Sequence, residues 1–240
     1  MQRHITRKFR PHDHSHGFVR GRSALTNAEP HVGTAVILKL DLLDFFGNVD
    51  RRAAYRAFRF AGYSRAVSHL LTDLAILDGV LPQGAPTSPD LANLAAYRMD
   101  VRLTKFAENN ALAYTRYADD LTFSGSFTPL AQRAIEFIIR DEGFSPNEKK
   151  LRYLLRDQRQ SVTGITVNEK LNWPRTRRRW LRQEVYYVGR FGLDAHLGAR
   201  GVEKSRYKEF IYGHVYALHA VRPDEADNHL KELDRVEWPY

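Results

Sequence analysis

Along Tyr114-Thr115-Arg116-Tyr117 and again along Leu121-Thr122-Phe123, ring-bearing or apolar residues roughly alternate with polar ones. Strand-favouring residues in that pattern, on both sides of Ala118-Asp119-Asp120, predict a β-hairpin with its reversal near the two carboxylates. A second strand-like run, Val36-Ile37-Leu38-Lys39-Leu40, ends on Asp41 and passes through Leu42-Leu43-Asp44 into Phe45-Phe46. Both acidic sites therefore stand where a predicted strand meets open space. Asp also satisfies local backbone in turns and caps helices, so neither site identifies a chemistry alone.

Between them, Leu81-Pro82-Gln83-Gly84-Ala85-Pro86-Thr87-Ser88-Pro89 forms a Pro/Gly-rich loop running into a helix. Ser88 suits its N-cap and Pro89 its first position, while Leu91, Leu94, Ala95 and Met99 fall near one face. Upstream, Tyr55, Phe58, Ala61, Ala66, Leu70, Leu71 and Leu74 predict two short helices around Gly62. Downstream, Thr128 and Pro129 open a helix whose apolar face is Ala131, Ala134, Ile135, Ile138 and Ile139, and Gly143 ends it. Strand-like segments follow near 150–155 and 161–167. Beyond Asn172, Arg175, Arg177, Arg178, Arg179 and Arg182 crowd one segment with few nearby acids, Trp180 and Leu181 give it an apolar side, and Phe210, Ile211, Val215, Tyr216 and Leu218 read as a later helix face. This order predicts an α+β fold: helices cover one face of an antiparallel sheet and the acidic residues emerge on the other.

Composition narrows the function classes. At 240 residues the chain has room for one catalytic domain with an appendage. A formal charge of +9 and a pI near 9.8 favour a polyanionic partner. No apolar run approaches the roughly 20 residues of a membrane span, and the His- and Arg-rich start does not read as a signal peptide, so a membrane is not expected as a partner. The absence of cysteine removes disulfides and thiolate metal sites and agrees with a cytoplasmic setting. His12, His14 and His16, on a segment expected to be flexible, have no matching ligand cluster, which disfavours structural zinc.

Taken in order, DLLDFF, LPQGAPTSPDLANL and YTRYADDLTFSG resemble motifs A, B and C of reverse transcriptases. Gly143-Phe144-Ser145-Pro146-Asn147-Glu148-Lys149-Lys150 resembles the lysine-bearing motif D, and Ser161 to Asn168 the hairpin after it. The resemblance runs from about Gly17 to the end. Two shorter patterns, Asn27-Ala28-Glu29-Pro30-His31 (NAxxH) and Val162-Thr163-Gly164 (VTG), resemble bacterial retron enzymes in particular.

The resemblance implies a right-hand polymerase with an antiparallel-sheet palm (36–47 and 93–168), N-terminally short fingers (1–35 and 48–92) and a helical thumb (169–240). It implies RNA-directed DNA synthesis with two Mg²⁺ ions, Mn²⁺ being a substitute. Asp41 and Asp119 would be shared ligands, Asp120 would complete the site less directly, and the Leu42 carbonyl would add a metal contact. Lys150, or its neighbour Lys149, would protonate the leaving pyrophosphate. Phe46 would lie under the incoming sugar and exclude a 2′-hydroxyl, while Phe45 packs in the core.

Gln83 and Gly84 would line the nucleotide pocket, with Arg20 and Arg22 at the triphosphate. Tyr117 would support the primer terminus, and Arg175, Arg177, Arg178, Arg179 and Arg182 would grip the primer and template. Asn27 and His31 are expected to act structurally, and the Val162-Thr163-Gly164 region to help recognise RNA. Implied partners are deoxynucleoside triphosphates, a structured noncoding RNA serving as template and primer, the DNA product and an effector protein. The expected product is branched RNA-linked single-stranded DNA made in the bacterial cytoplasm, with a role in antiphage defence. Competing expectations are another defence-associated or group II intron-like reverse transcriptase, an inactive RNA-binding protein and a two-metal nuclease.

Overall fold

The computed structural model describes residues 9–201 and 206–238; the first eight residues of the expected fingers lie outside them. The chain divides into two compact units: Met1–Thr163 with Val167–Lys170, and Gly164–Thr166 with Leu171–Tyr240.

The described part of the first unit begins with an irregular segment leading to a short helix, α1 (Ala24–Ala28), which Ser23 and Thr26 start with a reciprocal capping box. Strand β1 (Val36–Asp41) follows, then α2 (Arg51–Phe60) and α3 (Arg65–Ala75), α4 (Ser88–Ala95) and α5 (Tyr97–Asn109). The hairpin β2 (Ala113–Tyr117) and β3 (Asp120–Gly125), then α6 (Ala131–Asp141) and β4 (Arg152–Leu155), complete its main elements. The four strands form one antiparallel sheet in the order β2-β3-β1-β4.

Period two divides the sheet into unlike faces. Leu38, Leu40, Tyr114, Leu121 and Phe123 are buried with Met99 and Leu103 of α5 and Ile135 and Ile139 of α6. On the opposite face lie Lys39, Asp41, Thr115, Asp120, Thr122 and Ser124, so Asp41 and Asp120 emerge on the face away from the helices, as expected. The helix after the Pro/Gly loop begins one residue before its expected first position. Thr87 occupies the N-cap, and the Ser88 hydroxyl instead donates to the Pro82 carbonyl at 2.7 Å, closing the loop on itself.

The histidine segment is not the flexible stretch that its composition suggests. Ser15 and His16 are buried, Ser15 bridges Arg116 in parallel fashion, and His16 N donates to the Arg116 carbonyl at 2.7 Å. His14 Nδ1 lies 2.7 Å from the Tyr114 carbonyl and His16 Nδ1 2.9 Å from Thr26 Oγ1, so these rings serve backbone and hydroxyl partners.

Two short strands, β5 (Ser161–Val162) and β6 (Ile165–Thr166), flank a turn through Thr163 and Gly164. The second unit is then helical: α7 (Arg175–Phe191), α8 (Leu193–Arg200), α9 (Tyr207–His219) and α10 (Pro223–Leu233). Leu181, Val185 and Val188 of α7 are buried, as are Tyr207, Ile211, Val215 and Leu218 of α9 and Leu233 of α10. Tyr216 departs from the expected apolar face and is 60% exposed, because the buried positions of α9 recur three to four residues apart and leave it on the outside.

Candidate active site

Three acidic residues meet at one end of the sheet. Asp41 ends β1 and is the cross-strand partner of Asp120, which begins β3. Asp119 lies in the two-residue turn between Tyr117 and Asp120, and its carbonyl accepts from the Leu42 N–H at 2.9 Å. The turn is tight enough that Ala118 takes a φ of +58°, a region alanine rarely adopts.

The loop after α6 closes over Asp41. Its carbonyl accepts from Asn147 N at 2.7 Å, Leu43 N donates to the Ser145 carbonyl at 2.8 Å, and Leu42 bridges Pro146. Asn147 Nδ2 donates to Asp41 Oδ1 at 3.2 Å and Lys150 Nζ to Asp41 Oδ2 at 2.8 Å. Of the adjacent lysines, Lys150 is therefore the one on the carboxylate. Its hydrogen bond to Asp41, that carboxylate's charge and the charges of Asp119 and Asp120 raise its pKa. Asp120 is also pushed up, by burial and by Asp119 and Asp41, with Lys39 and Lys150 opposing.

These residues offer only hard oxygen donors, and the repulsion they impose on Asp120 is what a divalent cation would relieve. Among the described residues, no three ligating side chains already stand close enough to hold an ion by themselves. Asp41 is instead engaged by the Lys150 ammonium and the Asn147 amide. The donor chemistry fits a divalent cation, with Lys150 and Asn147 the groups on Asp41 that ion loading would displace or rearrange.

Phe45 is in the core, 5.8 Å from the Phe144 ring, whereas Phe46 is half-buried between Phe45 and Phe18 at 5.5 and 6.3 Å. Gln83 is exposed, and Gly84 has a φ of +88° with open space where a Cβ would project. Arg20 and Arg22 are exposed beside the Val19–Arg22 turn, and Tyr117 is half-buried opposite Asp120.

Asn27, His31 and Thr163 tie the acid-bearing face of the sheet to the segment around α1. His31 bridges β2 and β3, with Nε2 2.8 Å from Thr115 Oγ1 and Nδ1 2.7 Å from Ser124 Oγ. Burial, assisted by His16, lowers its pKa to about 3, so the ring is neutral. The Asn27 carbonyl accepts from Thr115 Oγ1 at 3.2 Å, and Thr163 Oγ1 donates to the Ala24 carbonyl at 2.9 Å. Thr163 has a φ of +47° and Gly164 one of +79°, so the side-chain contact holds a β-branched residue in an unfavourable region. Val162 is fully buried beside it.

In the second unit, the five arginines are not equivalent. Arg178 is bound by Glu225 of α10, at 3.0 Å from Nε and 2.8 Å from Nη2, and the Arg177 guanidinium lies 3.7 Å from the Trp173 ring centroid. The sequence expectation of few nearby acids missed Glu225 because it arrives from a helix 47 residues later. Arg175, Arg179 and Arg182 are exposed and line a groove of about 550 Å³ with Arg178 and Glu225.

Sequence reasoning also missed Arg116, Asp100, Asn93, Ser15 and Gly17, which pack behind the acidic turn. A signal was present: period two places Arg116 on the same face as Tyr114, inside the core, where an arginine requires a buried acid.

The reverse transcriptase (RNA-dependent DNA polymerase) family model matches residues 2–181, and the chain belongs to that family. Within it the chain is of retron type. It is 36% identical over 190 residues to the Retron Ec86 reverse transcriptase of Escherichia coli, covering 78% of this chain and 59% of that protein. It is 36% identical over 234 residues to the Retron Mx65 reverse transcriptase of Myxococcus xanthus, covering 89% and 52%. It is 30% identical over 208 residues to the Retron Ec83 reverse transcriptase of Escherichia coli, covering 78% and 67%. The chain thus spans between about half and two thirds of these relatives' lengths. Reverse transcriptases use divalent metal ions, in keeping with the donor chemistry above. No described helix is long and apolar enough to cross a membrane.

Proposed function

We propose that the chain is an RNA-directed DNA polymerase that copies a cognate structured RNA, and that the sheet is its palm, the N-terminal segment with α2, α3 and the Gln83–Gly84 loop its fingers, and the second unit its thumb. The observation that carries this reading is the pairing of Asp41 with Asp120, with Asp119 in the β2–β3 turn beside them and Lys150 on Asp41.

Two bound Mg²⁺ ions would lower the pKa of the primer hydroxyl and stabilise the attacking and leaving oxygens. Asp41, Asp119 and the Leu42 carbonyl are the proposed ligands, with Asp120 setting the charge of the site. Lys150, kept protonated by the acidic cluster, is the proposed proton donor to departing pyrophosphate. Gln83 and Gly84 border the nucleotide, the glycine allowing close backbone approach. Arg20 and Arg22 meet the triphosphate, Tyr117 supports the primer end, and Phe46 excludes the 2′-hydroxyl.

In the thumb, Arg175, Arg179 and Arg182 are the cations offered to phosphates, while Arg177 and Arg178 shape the surface. The resemblance to retron enzymes extends the proposal to synthesis primed from a 2′-hydroxyl of the cognate RNA, a branched RNA–DNA product, an effector partner, a cytoplasmic setting and antiphage defence.

The test is deoxynucleotide incorporation on a primed RNA template with Mg²⁺, beside the Asp119→Asn, Asp120→Asn variant. Incorporation that disappears in the variant supports polymerase chemistry, and a 2′-5′ linkage in the product made from cognate RNA supports the retron assignment. RNA binding without incorporation, even on cognate RNA, supports an inactive binder instead.

A further inference from the structure

The acidic turn is held from behind by a closed polar cluster. Arg116 is fully buried, and its guanidinium makes five hydrogen bonds: Nε to Asp100 Oδ1 at 2.8 Å, Nη2 to Asp100 Oδ2 at 2.6 Å and to Ser15 Oγ at 3.1 Å, and Nη1 to Asn93 Oδ1 at 3.0 Å and to the Ala118 carbonyl at 2.9 Å. The last bond grips the residue whose backbone is strained into positive φ.

A second grip comes from the N-terminal segment. Ser15 Oγ donates to Asn93 Oδ1 at 3.2 Å, and Asn93 Nδ2 donates to the Gly17 carbonyl at 2.9 Å. Gly17 lies flat on the turn: a Cβ there would meet the Ala118 nitrogen at 2.3 Å, a backbone atom that cannot swing aside. The helix after the nucleotide-side loop, α4, supplies Asn93, and α5 supplies Asp100. One cluster therefore joins four stretches of chain at the backbone immediately before Asp119.

We propose that Arg116 is a positioning residue for the acidic turn, and that Ser15 and Gly17 act with it to set Asp119 and Asp120 against Asp41. It rests on the polymerase reading for its kinetic consequence but not for its metal-binding one. Arg116 touches no reacting atom in this arrangement. It works by bonding the Ala118 carbonyl, so that the strained turn has one backbone position instead of several.

The test uses the full chain with Gly17→Ala, which wedges the turn without uncovering a buried charge, and Ser15→Ala, which removes one partner of Arg116. Fold is checked by circular dichroism and melting. Mn²⁺ affinity is measured by electron paramagnetic resonance, and kcat and KM are measured for deoxynucleotide incorporation on a primed RNA template. A folded Gly17→Ala protein is expected to lose about 10²-fold in kcat, the scale set by small misplacements of reacting groups, with KM for nucleotide changed little. Its Mn²⁺ affinity falls in step, and Ser15→Ala shifts both in the same direction by less.

Wild-type kcat and Mn²⁺ affinity in folded Gly17→Ala overturn the proposal. Should Gly17→Ala fail to fold, the same result in Ser15→Ala overturns it. A wild-type protein that binds Mn²⁺ but incorporates nothing refutes the polymerase reading alone, and the Mn²⁺ comparison then decides this one. A merely structural role would lower the melting temperature and leave both readouts of the folded protein unchanged.

Discussion

Each unit buries one carboxylate among an arginine and a tyrosine, and the two sites are built to different ends. In the first unit, Asp100 and Arg116 are both fully buried, paired bidentately, with Tyr114 OH donating to Asp100 at 2.8 Å. In the second, Glu184 accepts from Tyr207 OH, from Arg200 and from His196 Nε2 at 3.0 Å, but the Arg200 side chain is 46% exposed. The first cluster has no outlet to water and ends on the backbone of the acidic turn. The second ties α7, α8 and α9 together and keeps one charge in solvent. A sealed ion pair is weak evidence of stabilisation, since desolvation offsets much of its attraction, but it is costly to break. That combination suits a geometric constraint better than it suits stability.

Breaking the sealed pair gives the largest expected effect. Asp100→Asn leaves the Arg116 charge buried and unpaired, and should lower unfolding free energy by about 3–5 kcal/mol. Urea denaturation at pH 7 checks this. A loss comparable to that of an exposed pair, below about 1 kcal/mol, would mean that water reaches the site and that it is not sealed.

A third buried cluster sharpens the contrast because it contains no ion. Neutral His31 between Thr115 and Ser124 has its pKa lowered to about 3, and His16 is lowered to about 4 by burial, assisted by Arg22 and His14. Both bind a proton more readily when unfolded, so their contribution to stability diminishes as pH falls from about 6.5 towards those values. For His31 alone the loss by pH 5 is about 2 kcal/mol. His31→Gln should be less stable at pH 7 and show a flatter decline between pH 7 and 5. Parallel stability curves for the two proteins would show that His31 is not the group titrating.

Sequence pattern revealed the hairpin, the order of strands and helices and all three acidic residues, because those follow from local periodicity and from motifs that are contiguous in the chain. It did not reveal what holds them. Asp100 and Arg116 are 16 residues apart, Ser15 and Arg116 are 101, and Asp41 and Asn147 are 106. No local rule pairs them. The same limit hid Glu225 from Arg178, and made the Ser15 region look loose when its partners, Asn93 and Arg116, lie 78 and 101 residues away. Ser88 was misplaced for a smaller reason: its hydroxyl donates to the loop carbonyl of Pro82 rather than accepting from an N–H of the helix N-terminus.

The half-open cluster should respond more gently than the sealed one. Glu184→Gln keeps an acceptor for Tyr207 and His196 and lets Arg200 turn to water, for an expected loss of about 1 kcal/mol. Burial alone would raise the Glu184 pKa, but the hydrogen bonds from Tyr207 and His196 and the charge of Arg200 hold it below the usual value. The wild-type advantage is therefore present at neutral pH and fades as pH falls below the ordinary glutamate range. Melting curves of the two proteins at pH 7 and pH 4 measure both the size and the sign. An advantage that grows with acid would invert the assignment.

The smallest effects lie on the surface of the helical unit, where engagement by partners divides the arginines. Arg179→Ala or Arg182→Ala should leave the melting temperature nearly unchanged and weaken RNA binding. The slope of log affinity against log salt should shrink by about 0.7 for each phosphate of single-stranded RNA that the variant no longer neutralises. Arg178→Ala should do the reverse in proportion, because it leaves Glu225 without its closest partner and removes a cation already partly neutralised. Salt titrations of RNA binding for these single variants separate the two kinds of arginine. Equal slopes for all of them would place the phosphate path away from this groove, whereas a reduced slope for Arg179 and Arg182 alone would locate it along the side of α7 where the groove lies.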